Sequence, residues 1–451
     1  MRYIPNTPQD QKRLLDAVGA PSVEALFESI PEELRLRGKI GLPDALAENQ
    51  VRKEMERLTG RNRPTTDYVS FLGAGAYHHY VPAALNHLLQ RAEFLTAYTP
   101  YQPERSQGTL QAIFEYQTMM SMLSGLDIAN ASMYDGASAS AEACLMSLRL
   151  RPDRRRILAA QSVDPEYREI MHTYTGHIGV EIIEVPFEEK TGLLSKKELE
   201  ANLDESVAAV VIQSPNFFGA IEDVQAVADA AHGAGALLVA AVAEPLSLAL
   251  LKPPGEQGAD IVVGEAQAFG LGLQFGGPYL GFMTARDEFK RQMPGRIAGE
   301  TVDKDGRRGF VLTLVTREPH IRRARATSNI CTDETHCALA ASIYLSLMGR
   351  RGLRRMAEHN ARKAHLFAEA LTDIPGVERS FSAPFFNEFT VRLPQPSREV
   401  LTDLRELGIV GGYPLVRTYP GREHEIIVCV TEMNRRRDLV TAAEAFRDVL
   451  R

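Results

Sequence analysis

Between residues 155 and 285 six strand-type runs, RILAA, VEIIEVPF, VAAVVIQ, ALLVAAVA, ADIVV and YLGFMTA, alternate with stretches of helical spacing such as SKKELEANL and EDVQAVADAAHGAG. A parallel strand can only follow another through a crossover, and the crossover helices bury both faces of the sheet. Near-continuous apolar strands between amphipathic helices therefore predict a large α/β domain with a mostly parallel sheet. At 451 residues the chain is longer than one core supports, since cores stop growing at about 250–300 residues. Three regions are expected. Residues 1–66 are dense in charge and helix formers and end at the turn-prone RNRPTT, as a helical arm would. Residues 67–330 hold the α/β domain. Residues 331–451 hold two helical stretches with a break at Gly349 to Gly352, short strands EFTVRL and EIIVCVT, and a last helix from about Asn434 to Leu450, a small α+β domain.

A charged fraction of 24%, a hydrophobic fraction of 44% and a net charge of −7 are those of an ordinary globular protein, without the basic excess of a nucleic-acid binder. The N-terminus shows no secretory pattern. The longest apolar stretch, Gly235 to Leu251, contains Glu244-Pro245 and reads as a buried strand followed by a turn, not as a membrane span of about 20 residues. Cys144, Cys331, Cys337 and Cys429 form no C-x-x-C pair, which suits reduced thiols in the cytoplasm. Cys331, His336 and Cys337 fall at a helix start, where their side chains point around different faces, so no metal is expected.

Four constellations carry candidate chemistry. In Ser70–His79 two close glycines suggest a dinucleotide turn, but the third glycine position is His78; the alternative is a glycine turn with Tyr77, His79 and Tyr80 packed beside it. In Tyr134–Ala143 small residues lead into a helix, and either its free amides seat a phosphate or it is a capped, closely packed helix. The same stretch approximates the nucleophile elbow of a hydrolase, with Ser140 where the second glycine belongs. Thr96–Glu104 sets two phenols, a hydroxyl, an amide and a carboxylate around prolines that stiffen the backbone, in either a functional loop or ordinary surface. Gly264–Pro278 is a glycine-rich loop after the strand ADIVV, at the strand end that faces the ligand crevice of α/β sheets.

The segments FLGAGAYHHYVP, TAYTPYQPERSQGTLQ, QSPNFFGAIED, LLKPPGEQGADIVVGEAQAFG, ATSNICT and IVGGYPLVRTYPGREHE, in this order, resemble the glycine decarboxylase family, the P-protein of the glycine cleavage system. The length resembles subunit 1 of its two-chain form. The resemblance implies a fold-type-I pyridoxal phosphate (PLP) transferase fold. It implies an enzyme that decarboxylates glycine and passes the aminomethyl group to the lipoyl arm of the H-protein.

PLP chemistry needs a lysine to anchor the cofactor and usually an aspartate on its pyridinium nitrogen. No lysine lies between Lys252 and Lys290, and Gln267 or a neighbour stands at the degenerate lysine position. No aspartate lies between Asp229 and Asp260, where only Glu244 is near. The resemblance therefore implies that a homologous subunit 2 holds PLP covalently, in a heterotetramer of two of each chain. This chain is expected to supply walls of the shared pocket through His79, Tyr98, Thr99, Tyr101, Gln102 and Glu104. Tyr98 and Tyr101 would flank the substrate, and Gln102 or Glu104 would bond its polar groups. Arg105 departs from the aliphatic residue more usual in the family. The alternative is a non-catalytic structural or regulatory subunit. The arginines of REPHIRRAR, 317–325, either receive an acidic carrier or form a solvated charged face.

Overall fold

The structure is a computed structural model that describes residues 5–451 except 37, 39, 65, 66, 96–99 and 275. It divides into two compact units, residues 1–63 and 64–451. The first contains helices Pro8–Val18 and Glu48–Thr59, neither of which buries a residue. The former begins where Thr7 accepts from the Asp10 amide, and it ends at Gly19 in the left-handed region, φ 70°.

The second unit is built on a seven-stranded sheet. Its strands are β1 (Ile128–Ala129), β2 (Arg156–Ala160), β3 (Glu181–Val185), β4 (Val207–Gln213), β5 (Leu237–Val242), β6 (Ile261–Glu265) and β7 (Gly281–Ala285), in the order β1-β7-β6-β5-β4-β2-β3. All pairings from β3 across to β6 are parallel, and β7 alone is reversed. Every residue of β4, β5 and β6 is buried, which is why these strands read as unbroken apolar runs. Helix α1 (Gln107–Ser124) lies against β1, and α2 (Gly136–Leu150) packs across β5, β6 and β7. Helix α3 (Val224–Gly233) packs on β5.

After the sheet comes an antiparallel hairpin, β8 (Ile297–Val302) with β9 (Arg308–Thr313), turning at Gly306 with φ 78°. No strand reading of the sequence had placed it. Helix α4 (Thr335–Thr372) is two helices merged at Gly349, φ 58° and ψ 172°, where the glycine break was expected. A second sheet, β10 (Glu378–Arg379), β11 (Glu388–Arg392), β12 (Tyr413–Pro414) and β13 (Glu425–Cys429), carries helices α5 (Ser397–Glu406) and α6 (Arg436–Val449). Its core, around Phe71, Phe367, Phe389 and Phe446, is separate from the core of the large sheet. Val69–Ser70 pairs parallel with Ile409–Val410, so the start of this unit is sewn into its C-terminal layer. Among the described residues no helix is long and apolar enough to cross a membrane.

Candidate functional site

The carboxyl ends of β5 and β6 converge on two buried polar clusters. Glu244 lies two residues beyond β5, and its Oε2 is 2.8 Å from His79 Nε2. The other ring nitrogen, Nδ1, is 3.0 Å from Glu432, just beyond β13. Burial opposes charge on the ring, but Glu244 and Glu432 outweigh it and lift the His79 pKa to about 10. Burial likewise works against a charged Glu432, and bonds from His79, the Tyr80 amide and Asn360 overcome it, holding the carboxyl at about 2. Both ring nitrogens are therefore donors at neutral pH, and the triad is a closed ion pair network. The turn that presents His79 needs Gly75 at φ 100°. Beside it Glu388 accepts from the Ala74 amide at 2.7 Å and from the Tyr77 hydroxyl at 3.0 Å. Burial raises the Glu388 carboxyl to about 8. The packed glycine turn is thus the arrangement found, with His79 buried and Tyr80 exposed.

At the end of β6, Glu265 accepts from the Gly136 amide at 3.1 Å, the Gln267 amide at 3.0 Å and the Leu280 amide at 2.7 Å. Asp135 caps the same helix, α2, through the Ser138 amide at 2.7 Å. A side chain on Gly136 would meet the Tyr167 hydroxyl at 1.9 Å. The helix N-terminus is therefore a capped helix with its amides consumed by the chain's own carboxylates. Ser140 donates to the Gly136 carbonyl at 2.8 Å, so the elbow serine is spent within its helix. Gln267 is buried and donates to the Leu271 carbonyl. These residues do not fit PLP: among the described residues the loop after β6 presents Gln267 and no lysine, the anion seat holds two carboxylates, and Glu244 is bound to His79.

Tyr101, Gln102 and Glu104 lie on an exposed turn, and Tyr98 and Thr99 fall outside the described residues. Tyr101 joins Arg296, which sequence reasoning did not single out. The Arg296 guanidinium is 4% exposed and donates to the Tyr101 oxygen at 3.0 Å, Thr332 Oγ1 at 3.0 Å, Asp333 at 3.1 Å and the Cys331 carbonyl at 2.6 Å. Its charged plane also lies 5.2 Å from the Tyr101 ring centroid. Together with Pro100, Pro103, Val311 and His320 they wall a cleft of about 360 Å³. Glu318 adds a carboxyl whose pKa burial raises, against the pull of Arg317 and Arg296. His79 and Gln267 belong to the interior clusters, bonded to Glu244 and to the Leu271 carbonyl, and neither lines this cleft. The arginine-rich segment divides: Arg317 is buried and donates to the Met293 and Gly295 carbonyls, while Arg322, Arg323 and Arg325 are exposed. Cys331 is exposed and Cys337 buried.

The profile of the glycine cleavage system P-protein family matches residues 1–446. A probable glycine dehydrogenase (decarboxylating) subunit 1 of Desulfitobacterium hafniense is 50% identical over 439 residues, covering 97% of this chain and 98% of the relative. The crystal structure of a glycine decarboxylase (P-protein) in inhibitor-bound form superposes with a TM-score of 0.91 at 46% identity, covering 100% of both chains. A sphingosine-1-phosphate lyase from Burkholderia pseudomallei, 16% identical, shares the fold at a TM-score of 0.65 over 93% of each chain. The fold is that of the fold-type-I PLP transferases. Whole-length similarity in sequence and in structure places the chain in the glycine cleavage system P-protein family.

Proposed function

We propose that this chain is subunit 1 of glycine dehydrogenase (decarboxylating), acting in the cytoplasm with a homologous subunit 2, two of each, to decarboxylate glycine and pass its aminomethyl group to a lipoyl-bearing H-protein. In this reading PLP supplies the electron-accepting chemistry from the partner subunit, on the partner's lysine. The observation that carries the division of labour is Glu265 seated on the Gly136 amide, with Gln267 beside it. A carboxylate there repels a phosphate, and an amide side chain cannot anchor an aldehyde.

The chain's contribution in this proposal is the Tyr101 cleft. A guanidinium can only donate, so the Tyr101 oxygen accepts from Arg296 and its own hydrogen stays free to bond a ligand acceptor. Pro100, Pro103 and Val311 border the cleft beside that hydroxyl, and Tyr101 is 58% exposed in this chain, so in this reading water is excluded, and the bond to a carboxylate strengthened, only when subunit 2 covers the turn. Gln102 and Glu104, with Tyr98 and Thr99, would complete the wall once subunit 2 closes over it, and His79 would hold the interior behind them.

The test is reconstitution. The isolated chain incubated with PLP should take up no borohydride-fixable label, while the complex with subunit 2 should release CO2 from glycine. Label on Lys252, the exposed lysine upstream of the loop, would overturn the assignment. Tyr98→Phe and Tyr101→Phe should slow turnover without dissociating the complex. Full activity in both would favour a purely structural or regulatory subunit.

A further inference from the structure

The face of α5 that looks onto β12 carries a second cleft, of about 360 Å³. Arg398, Leu401, Thr402 and Arg405 line one side, the i, i+3, i+4, i+7 stripe of the helix, and Arg417 lines the other. Two cations thus stand about 10 Å apart along the helix axis and a third faces them. Among the described residues none of the three forms an ion pair, although α5 itself offers Glu399, Asp403 and Glu406. Neighbouring Arg392 and Arg422 are both paired with Glu425, at 2.7 Å and 3.1 Å. The Arg417 guanidinium lies over the Tyr413 ring, 5.6 Å from its centroid.

The floor is backbone. A side chain on Gly411 would come within 2.7 Å of Leu404, and one on Gly412, at φ 140°, within 2.3 Å of the Ile427 carbonyl, so glycine is required at both positions. Between the arginines the walls are apolar, from Leu72, 44% exposed, Leu401, Val410, Tyr413 and Pro414. A concave apolar pocket with a few convergent charges is the form of a small-molecule site, and unpaired guanidinium groups are matched to oxyanions bidentately. A chain of net charge −7 gathers three of its arginines here.

We propose that this cleft binds a small organic phosphate, its phosphoryl oxygens held by Arg398, Arg405 and Arg417 and its ring against Tyr413 and Leu72. The proposal does not depend on the glycine reading. The probe is a fluorescent N-methylanthraniloyl derivative of ATP, titrated into the complex of this chain with subunit 2. Saturable binding is expected, weakened about tenfold or more in each of Arg398→Gln, Arg405→Gln and Arg417→Gln, with glycine turnover in the absence of nucleotide unchanged. No saturable binding, or equal binding by the triple variant, would overturn it. So would pyrophosphate competing as well as ATP, which would leave the ring without a role, or hexaglutamate competing better, which would make the cleft a docking surface for an acidic protein.

Discussion

His79 and Glu244, 165 residues apart in the chain, meet at 2.8 Å with side chains 2% and 3% exposed. Glu432 completes the contact on the other ring nitrogen. The three residues come from the first turn of the unit, the end of a central strand and the end of the second sheet, so one imidazolium ties both sheets together. A buried charge of this kind stabilises only while each partner is present, because removing one leaves the others desolvated and unpaired.

His79→Gln should therefore lower the stability of the folded chain by about 3–5 kcal/mol. Urea unfolding of the purified protein measures it. An unchanged midpoint would mean that the triad adds nothing.

The same triad sets a pH window. The His79 pKa is raised from 6.5 to about 10, so its contribution is complete below pH 6.5 and is lost as pH rises through 10. Glu432 is lowered from 4.5 to about 2, so its contribution is complete above pH 4.5 and is lost as pH falls through 2. Glu388, raised to about 8, adds a further loss on the alkaline side. The stability difference between wild type and His79→Gln should be largest from pH 4.5 to 6.5 and shrink towards pH 10. A difference that grows above pH 7 would contradict the charged state assigned to the ring.

Much of the fold was legible in the sequence because strands buried on both faces, such as Val207–Gln213, leave unbroken apolar runs. The break at Gly349 was legible because glycine alone tolerates that backbone. The hairpin Ile297–Val302 with Arg308–Thr313 was not, since much of it is exposed and its residues follow no clean alternation. In the site, the missing lysine and the glutamine near its place could be read from the sequence, but what occupies the helix N-terminus could not. Glu265 reaches Gly136 across 129 residues, a pairing that only the folded sheet creates. Arg296 had no local signal, being one of 51 basic residues until the fold set it under Tyr101.

Gln267→Lys alone should not restore PLP binding to this chain. The new amine would emerge beside Glu265, whose carboxyl burial raises to about 7 and which still occupies the Gly136 amide. Absorbance and borohydride labelling of the variant with PLP check this. Stoichiometric labelling at position 267 would mean that the carboxylates yield their seat to phosphate.

Arg296→Gln should slow glycine turnover by about ten- to hundredfold in the reconstituted complex, because Tyr101 and the 331–333 segment lose their common anchor. Tyr101→Phe should lose a similar factor without the accompanying instability, since Asp333 keeps its cation. If Arg296→Gln destabilises the protein while Tyr101→Phe turns over normally, the guanidinium serves the fold and not the cleft.

The small residues before α2 can be tested against the phosphate reading directly. Gly136 is required here by a neighbouring side chain, since a methyl group would lie 1.9 Å from the Tyr167 hydroxyl and 2.6 Å from its ring carbon Cζ. Gly136→Ala should thus cost about 1–3 kcal/mol, the usual range for overpacking a filled site. Tyr167→Leu removes the phenol that causes the clash, so the two substitutions should combine to less than the sum of their separate costs. A contact at 3.1 Å to the Gly264 carbonyl carbon remains in that background and keeps the recovery partial. Denaturation midpoints of the four proteins in this cycle measure the coupling. Strict additivity would mean that the glycine is not there to make room for Tyr167, and the anion-seat reading of this turn would regain its force.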